Sequence, residues 1–313
     1  MIKFSIIIPC FNEQEHIGKC LESVLNQSVP SSSVEIIVVD NGSTDNSVEI
    51  ARKYTEHVFI KTEVNVGAVR NYGAENATGE ILVFIDGDCT MDQDWLQRVE
   101  TELKDTDSKL VLGGGYLLPP GSRWIERCWL LETSEGNSLP KELVGGCIVI
   151  KNSFFKALGG FNEAMQSGED SELSYRIKRN GGKIRITRSL NITHWGNAKT
   201  QKGFIKRQIW HAQSYEKNLK QNITDPVFIL TIAFLASATL LPITVIYDRY
   251  ASSILLIIAA ISPALLTTKR FGRAQRSPRN LVEGFAAYYL DILYLTGRSI
   301  GILLIAKRKF RHH

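Results

Sequence analysis

Two hydrophobic periods alternate along the first hundred residues of the chain. Phe4–Pro9 is a continuous apolar run, and Ile17, Cys20, Leu21, Val24 and Leu25 then recur at helical spacing. Asn12 and Glu15, three positions apart, predict a capping-box-like opening for that helix. Glu35–Val39 reads as a second buried strand ending at Asp40, and Asp45 as the N-cap of a helix running to about Tyr54. Val58–Lys61 predicts a short third strand. A helix carrying Val69, Tyr72, Gly73 and Ala77 follows, and then the wholly apolar Ile81–Ile85. Strands apolar on both faces, alternating with amphipathic helices, predict a doubly wound α/β domain with a mainly parallel sheet. Such sheets bind ligands beyond the carboxyl ends of their strands, so Asn12, Asp40 and Asp86 are expected to converge on one crevice. From about Leu110 to Leu190 the pattern loosens into short strands and loops, broken at Gly113–Gly115, Pro119–Gly121 and Gly145–Gly146.

The last quarter has a different pattern. Val227–Tyr247 and Ala251–Thr268 carry no charged residue. At ~1.5 Å per residue they are about 31 and 27 Å long, enough for a hydrocarbon core of about 30 Å. Only Asp248, Arg249 and Tyr250 separate them, which predicts a tight transmembrane hairpin. Lys269, Arg270, Arg273, Arg276 and Arg279 follow at once and mark the cytoplasmic side by the positive-inside rule. Residues 284–306 are long enough to span, but they carry Asp291 and Arg298 and have basic flanks. An interfacial or re-entrant helix is favoured there over a third span. The expected division is an α/β domain over 1–225 and a membrane domain over 226–313. The expected location is the cytoplasmic membrane, with the α/β domain in the cytosol.

Charge follows the same division. The 313 residues hold 37 Lys+Arg and 32 Asp+Glu, a net +5. From Pro226 onward there are 11 basic and 3 acidic residues, which leaves 26 basic and 29 acidic before it. The excess positive charge thus belongs to the membrane segment, and the mildly acidic main domain argues against nucleic acid as a partner. The five cysteines (Cys10, Cys20, Cys89, Cys128, Cys147) form no CxxC pair and read as reduced core thiols. The opening MIKFSIIIPCFNE has too short an apolar stretch, and no small-residue cleavage site, for a secretory leader.

Three acidic motifs carry candidate chemistry. Asp86-Gly87-Asp88 stands directly after a buried strand, where two carboxylates two residues apart can turn toward one divalent cation and a diphosphate. A solvated turn is the plain alternative. Asp40-Asn41-Gly42-Ser43-Thr44-Asp45 ends the second strand and offers an acid to a base or ribose, or simply an Asx-type turn. Gly168-Glu169-Asp170 opens a helix with Leu173 and Ile177 on its buried face and Gly181 at its end. The two acids either complement the helix dipole or hold a general base there. No GxGxxG follows the first strand and no GxxxxGK[ST] occurs, so neither a dinucleotide fold nor a P-loop is supported.

Taken together and in order, SIIIPCFNE, VVDNGSTD, GAVRNYGAENATGEILVFIDGDC and GGFNE…GEDSELSYRIKRNGG resemble family 2 glycosyltransferases with the GT-A fold, over about residues 4–195. The resemblance implies inverting transfer of a sugar from a nucleoside-diphosphate donor, most often a UDP-sugar, with Mg²⁺ or Mn²⁺. It implies that Pro9, Asn12 and Glu13 lie in the loop touching the nucleoside, that Asp40 binds uracil or ribose, and that Arg70 approaches the nucleotide. Asp86 and Asp88 match the ribose- and metal-contacting pair. Asp170 matches the catalytic base, and Glu169 an acid contacting the acceptor. His194 sits where some such enzymes place a third metal ligand, and a packed structural histidine is the alternative; imidazole suits Mn²⁺ better than Mg²⁺. Trp195 stacks on a sugar or fills core.

A helix from Gly203 to about Leu219, with Phe204, Ile205, Ile209 and Trp210 among Lys202, Lys206 and Arg207, suits a membrane surface. Polymerising relatives carry QxxRW near here. This chain has Arg207-Gln208-Ile209-Trp210 instead, in the wrong order for a processive polymerase. The expected acceptor is a lipid-linked or cell-envelope glycan, because a soluble acceptor would not require a membrane anchor. A polyprenyl-phosphate monosaccharide transferase and a non-catalytic nucleotide-sugar-binding module are the alternatives.

Overall fold

A computed structural model of the chain describes residues 2–104, 108–131, 139–216 and 223–311. They form two compact units. The first comprises residues 1–119 and 139–196, the second 120–138 and 197–313.

The first unit is built on a seven-stranded sheet. Its central strands, β1 (Phe4–Cys10), β2 (Val34–Asp40) and β4 (Ile81–Phe84), are the three apolar runs of the sequence. They pair in parallel, as does β3 (Val58–Ile60) with β2. β8 (Ile148–Lys151) adds to β4 antiparallel, followed by β6 (Leu110–Gly113) and β9 (Lys183–Ile186), giving the order β3-β2-β1-β4-β8-β6-β9. The sheet is therefore mainly parallel with one reversed strand. Alternate β1 residues feed opposite cores: Phe4, Ile6 and Ile8 face the cluster with Ile17, Leu21 and Trp95, and Ile7 faces the one with Val69, Phe84 and Phe155. Gly73, in α3 (Val66–Glu75), allows a close helix–sheet approach, since a Cβ there would stand 2.5 Å from Ile7 Cγ2.

The helix start predicted at Asn12 lies elsewhere. α1 spans Ile17–Leu25 with His16 as N-cap and no side-chain cap. Asn12 Oδ1 instead accepts from the Thr44 amide, because Asn12 takes the left-handed conformation (φ 57°) and turns toward the β2 loop. Leu25, predicted on the buried face, is exposed, whereas Ile17, Cys20, Leu21 and Val24 are buried. α2 is shorter than expected, Ser47–Ala51 with Asn46 as N-cap, although Asp45 does accept from the Ser47 amide at 3.0 Å. All five cysteines are free and buried. A small second sheet, β5 (Cys89–Thr90), β10 (Ile192–His194) and β7 (Tyr116–Leu117), sets His194 opposite Cys89.

The second unit contains three helices long and apolar enough to cross a membrane, Pro226–Tyr247, Arg249–Arg273 and Leu281–Arg308 of the longer Leu281–Arg311 helix. Asp248 caps the second of them, accepting from the Tyr250 and Ala251 amides, and so forms the hairpin turn. The third is one unbroken helix. Its two internal charges have partners within the unit: Asp291 accepts from Arg270 and from Thr267 Oγ1, and Arg298 lies 5.1 Å over the Tyr294 ring and 5.2 Å over that of Tyr215. Helix α5 (Trp124–Leu130) belongs to this unit. Ile125 and Cys128 pack with Phe204, Leu266 and Leu290, and Arg270 donates to the Trp129 carbonyl at 3.2 Å. The expected division at 225/226 therefore does not coincide with the compact units. The helix predicted from Gly203 runs Gln201–His211, buries Phe204 and Gln208, and packs within the second unit; residues 217–219 of the expected span lie outside the described residues.

Candidate active site

Beyond the carboxyl end of β2, Asp40 is almost fully buried. It accepts from the amides of Gly42 (2.8 Å) and Ser43 (2.9 Å) and from the Ser43 hydroxyl. Gly42 takes φ 87°, the left-handed turn that lets its amide point back at Asp40. Ser43 Oγ also accepts from the Asn12 amide at 2.8 Å, and the Glu13 amide donates to Ser47 Oγ at 2.7 Å. The loop carrying Asn12 and Glu13 after β1 is thereby bound to the loop after Asp40. Pro9 lies half-buried within β1.

A second group is organised by Arg70, which α3 buries within the first unit. Its Nη2 donates to Asp86 at 2.7 Å and its Nη1 to Glu169 at 2.6 Å. A buried guanidinium bonded to two carboxylates is held charged, and the pair raises its pKa above the ordinary value. Glu169 begins α7 (Glu169–Arg179) after Gly168, whose φ of 83° turns the chain into the helix. Asp170 follows. Its Oδ2 accepts from the Gly145 amide at 3.0 Å and its Oδ1 from the Ser171 amide at 2.7 Å. Burial, and then the neighbouring charge of Glu169, push the Asp170 carboxyl up to about 6.

Gly145 and Gly146 let backbone pass close to this group. A Cβ on Gly145 would stand 2.6 Å from Arg70 Nη2, and one on Gly146 2.7 Å from Asp86 Oδ2. The sequence marks them only as chain breakers, since nothing local reveals that they face Arg70 and Asp86.

The third group is Asp88 with His194, whose Nε2 stands 3.2 Å from Asp88 Oδ2. The Cys89 thiol lies 3.4 Å from Asp88 Oδ1, and ligand atoms of Asp88, Cys89 and His194 fall within 4.8 Å of one another. The Tyr116 ring lies tilted at 36° to the His194 ring, centroids 4.6 Å apart. Gly196 admits no side chain, because a Cβ there would stand 1.9 Å from Asp88 Oδ2. A carboxylate and an imidazole converging in this way fit a divalent transition cation such as Mn²⁺. Asp86, expected to share the metal, is not in this group; its Oδ1 accepts from Arg70 Nη2. Trp195 donates to Thr90 Oγ1 and lies under the Lys19 ammonium at 4.6 Å.

A strand-end acid, an acidic pair after a buried strand and a second acidic pair opening a helix, the two pairs bridged by Arg70, make up the candidate site. The chain matches the family described as Glycosyl transferase family 2 over residues 5–158, and that described as N-terminal domain of galactosyltransferase over 131–198. Among characterised relatives, Glycosyltransferase AglE of Haloferax volcanii is 42% identical over 130 residues, 39% of this chain and 43% of that protein. Poly(ribitol-phosphate) beta-glucosyltransferase of Bacillus spizizenii is 38% identical over 119 residues, 36% of this chain and 19% of that one. The chain thus spans less than half the length of these relatives. Among solved structures, the mannosyltransferase PcManGT from Pyrobaculum calidifontis, in complex with GDP-Man and Mn²⁺, superposes with a TM-score of 0.59 at 20% identity, covering 95% of this chain and 86% of that one. The fold is the GT-A fold. The chain belongs to glycosyl transferase family 2.

Proposed function

We propose that the chain transfers one sugar from a nucleoside-diphosphate sugar, a UDP-sugar by preference, to a lipid-linked or cell-envelope glycan acceptor, with inversion at the anomeric carbon. The reading rests on one observation: Arg70 bonds both Asp86, of the Asp86-Gly87-Asp88 motif, and Glu169, next to the candidate base Asp170. In this reading Asp40, with Asn12 and Glu13 beside it, receives the base and ribose, Pro9 shapes that loop, and Arg70 and Asp86 orient the sugar nucleotide. Asp170 takes the proton of the acceptor hydroxyl as that oxygen attacks C1 from the face opposite the diphosphate, and Glu169 orients the acceptor. A carboxyl titrating at about 6 is ionised at neutral pH and still basic enough to accept that proton. Asp88 and His194 would hold Mn²⁺ or Mg²⁺, which supplies charge stabilisation to the departing diphosphate.

The glucosyl- and mannosyltransferase names of relatives support hexosyl transfer, and those acting on poly(ribitol-phosphate) support an envelope acceptor. The three apolar helices support an acceptor at the membrane, and the basic run from Lys269 to Arg279 supports a cytosolic site on the cytoplasmic membrane. The test is release of nucleoside diphosphate by membranes carrying the full chain. A panel of nucleotide sugars is offered with and without metal and lipid extract, to wild type and Asp170→Asn. Release that needs metal, one donor and the lipid, and that collapses in the variant, is the expected result. Donor binding without turnover under every acceptor condition would instead mark a binding module.

A further inference from the structure

Among the described residues, the Leu281–Arg311 helix meets the apolar hairpin mainly near its base. Ala287 packs with Phe271 and Ala274, and Asp291 is bonded by Thr267 and Arg270, all in or just after the closing turns of the Arg249–Arg273 helix. Leu293 and Leu295 share a cluster with Val227, Leu230 and Phe234, in the opening turns of the Pro226–Tyr247 helix. Arg298 lies over Tyr215, whose ring meets Phe228 at 4.8 Å. Farther along the hairpin, the Tyr288 hydroxyl donates to the Ala260 carbonyl at 3.1 Å. From Ala287 to Arg298 the helix stays beside the base of the hairpin, with Phe271 and Ala274 near its start and Val227, Leu230 and, through Tyr215, Phe228 further on, so it advances little along the hairpin and crosses it steeply. The helix therefore passes from the end of one hairpin helix to the start of the other, across the base of the hairpin.

Its outward face carries an apolar stripe, exposed from Leu281 to Tyr289 and again from Ile300 to Leu303, and half-buried between them at Ile292 and Thr296. Leu281, Val282, Phe285, Tyr289, Ile300 and Leu303 are all exposed, and at ~100° per residue they fall within a sector of about 100°. The opposite side, with Ala287, Leu290 and Ile305, is buried against the rest of the unit. Basic residues bracket the stripe: Lys269, Arg273, Arg276 and Arg279 before it, Lys307 and Arg308 after it.

We propose that this helix lies in the plane of the membrane at the base of the hairpin, with its stripe in the headgroup–acyl boundary of a bilayer containing anionic phospholipid. The stripe continues the lipid-facing surface of the hairpin, whose helices expose Ile243, Ile246, Ile254 and Ile257. The flanking cations complement the negative surface of such a leaflet. A flat placement leaves both basic clusters on one side of the membrane, as the positive-inside rule requires, whereas a span would carry Lys307 and Arg308 across.

The full chain is tested in proteoliposomes of phosphatidylglycerol and phosphatidylcholine. Its native cysteines are buried, so single introduced cysteines report alone. Tyr250→Cys, in the hairpin turn, and Lys307→Cys are treated with an impermeant maleimide from each side of oriented vesicles. The expected result is labelling from opposite sides; labelling from the same side overturns the proposal. Spin labels on Phe285→Cys and Leu303→Cys, 18 residues apart, give a second reading. Equal, shallow depths are expected, whereas a spanning helix would separate them by up to about 27 Å.

Discussion

Arg70 and Glu169 are 99 residues apart in sequence and their side chains meet at 2.6 Å inside the first unit. That contact, with the one from Arg70 to Asp86, ties α3, the end of β4 and the start of α7 together through a single guanidinium. Removing it leaves Glu169 buried as an uncompensated charge. Arg70→Ala is expected to destabilise the protein by about 3–5 kcal/mol in chemical denaturation. Arg70→Lys keeps the charge but can no longer bond both acids in the fork geometry, so it should retain more stability and still lose most turnover.

Activity should follow the protonation of Asp170. Its carboxyl is raised from 3.8 to about 6, so kcat/KM is expected to climb through pH 6 and level above it. Stability runs the other way. Between those two pH values the folded protein keeps a proton that the unfolded chain has released, so the contribution of this group is present below pH 3.8 and lost as pH rises through about 6. Asp170→Asn should abolish both dependences and lower kcat/KM by about 10²–10⁴-fold. Paired pH profiles of turnover and of denaturation midpoint check this.

Gly196 has no room for a methyl group beside Asp88. Gly196→Ala is expected to push the Asp88 carboxylate away from His194 and weaken Mn²⁺ binding, measured by calorimetry or electron paramagnetic resonance. Asp40→Asn, on separate elements, should leave metal affinity unchanged.

Asp40→Asn tests the other end of the site. The carboxylate accepts from two amides and a hydroxyl, and its neutral amide cannot accept from all of them equally well. The substitution should cost about 1–3 kcal/mol. It should also raise the apparent Kd for nucleoside diphosphate, with a smaller effect on kcat at saturating donor.

Much of this was legible in sequence because its signals are local. β1, β2 and β4 are short apolar runs, and Asp40 and the Asp86–Asp88 pair stand at or just beyond strand ends, so both the α/β class and the crevice follow from them. What escaped depends on contacts between distant residues. Asn12 and Glu15 have capping spacing, yet Asn12 is claimed by Thr44, 32 residues on. Asp86 is bonded through Oδ1 to Arg70, 16 residues before it, a pairing with no local signal in the sequence. Gly145 and Gly146 read as breakers, although they are small because Arg70 and Asp86 lie against them. α5 carries no sequence mark of its membership in the second unit, since its partners Phe204, Leu266 and Leu290 all lie far along the chain.

That membership sets an order of assembly. Ile125 and Cys128 leave the ribosome well before Leu266 and Leu290, the residues that cover them, have been made. During synthesis α5 is therefore an orphan apolar segment, and the neighbouring α/β sheet can close around its own strands while this helix waits for the membrane helices. Burial of α5 is thus expected to wait for the long apolar helices, and a chain stalled before residue 266 should present it to chaperones.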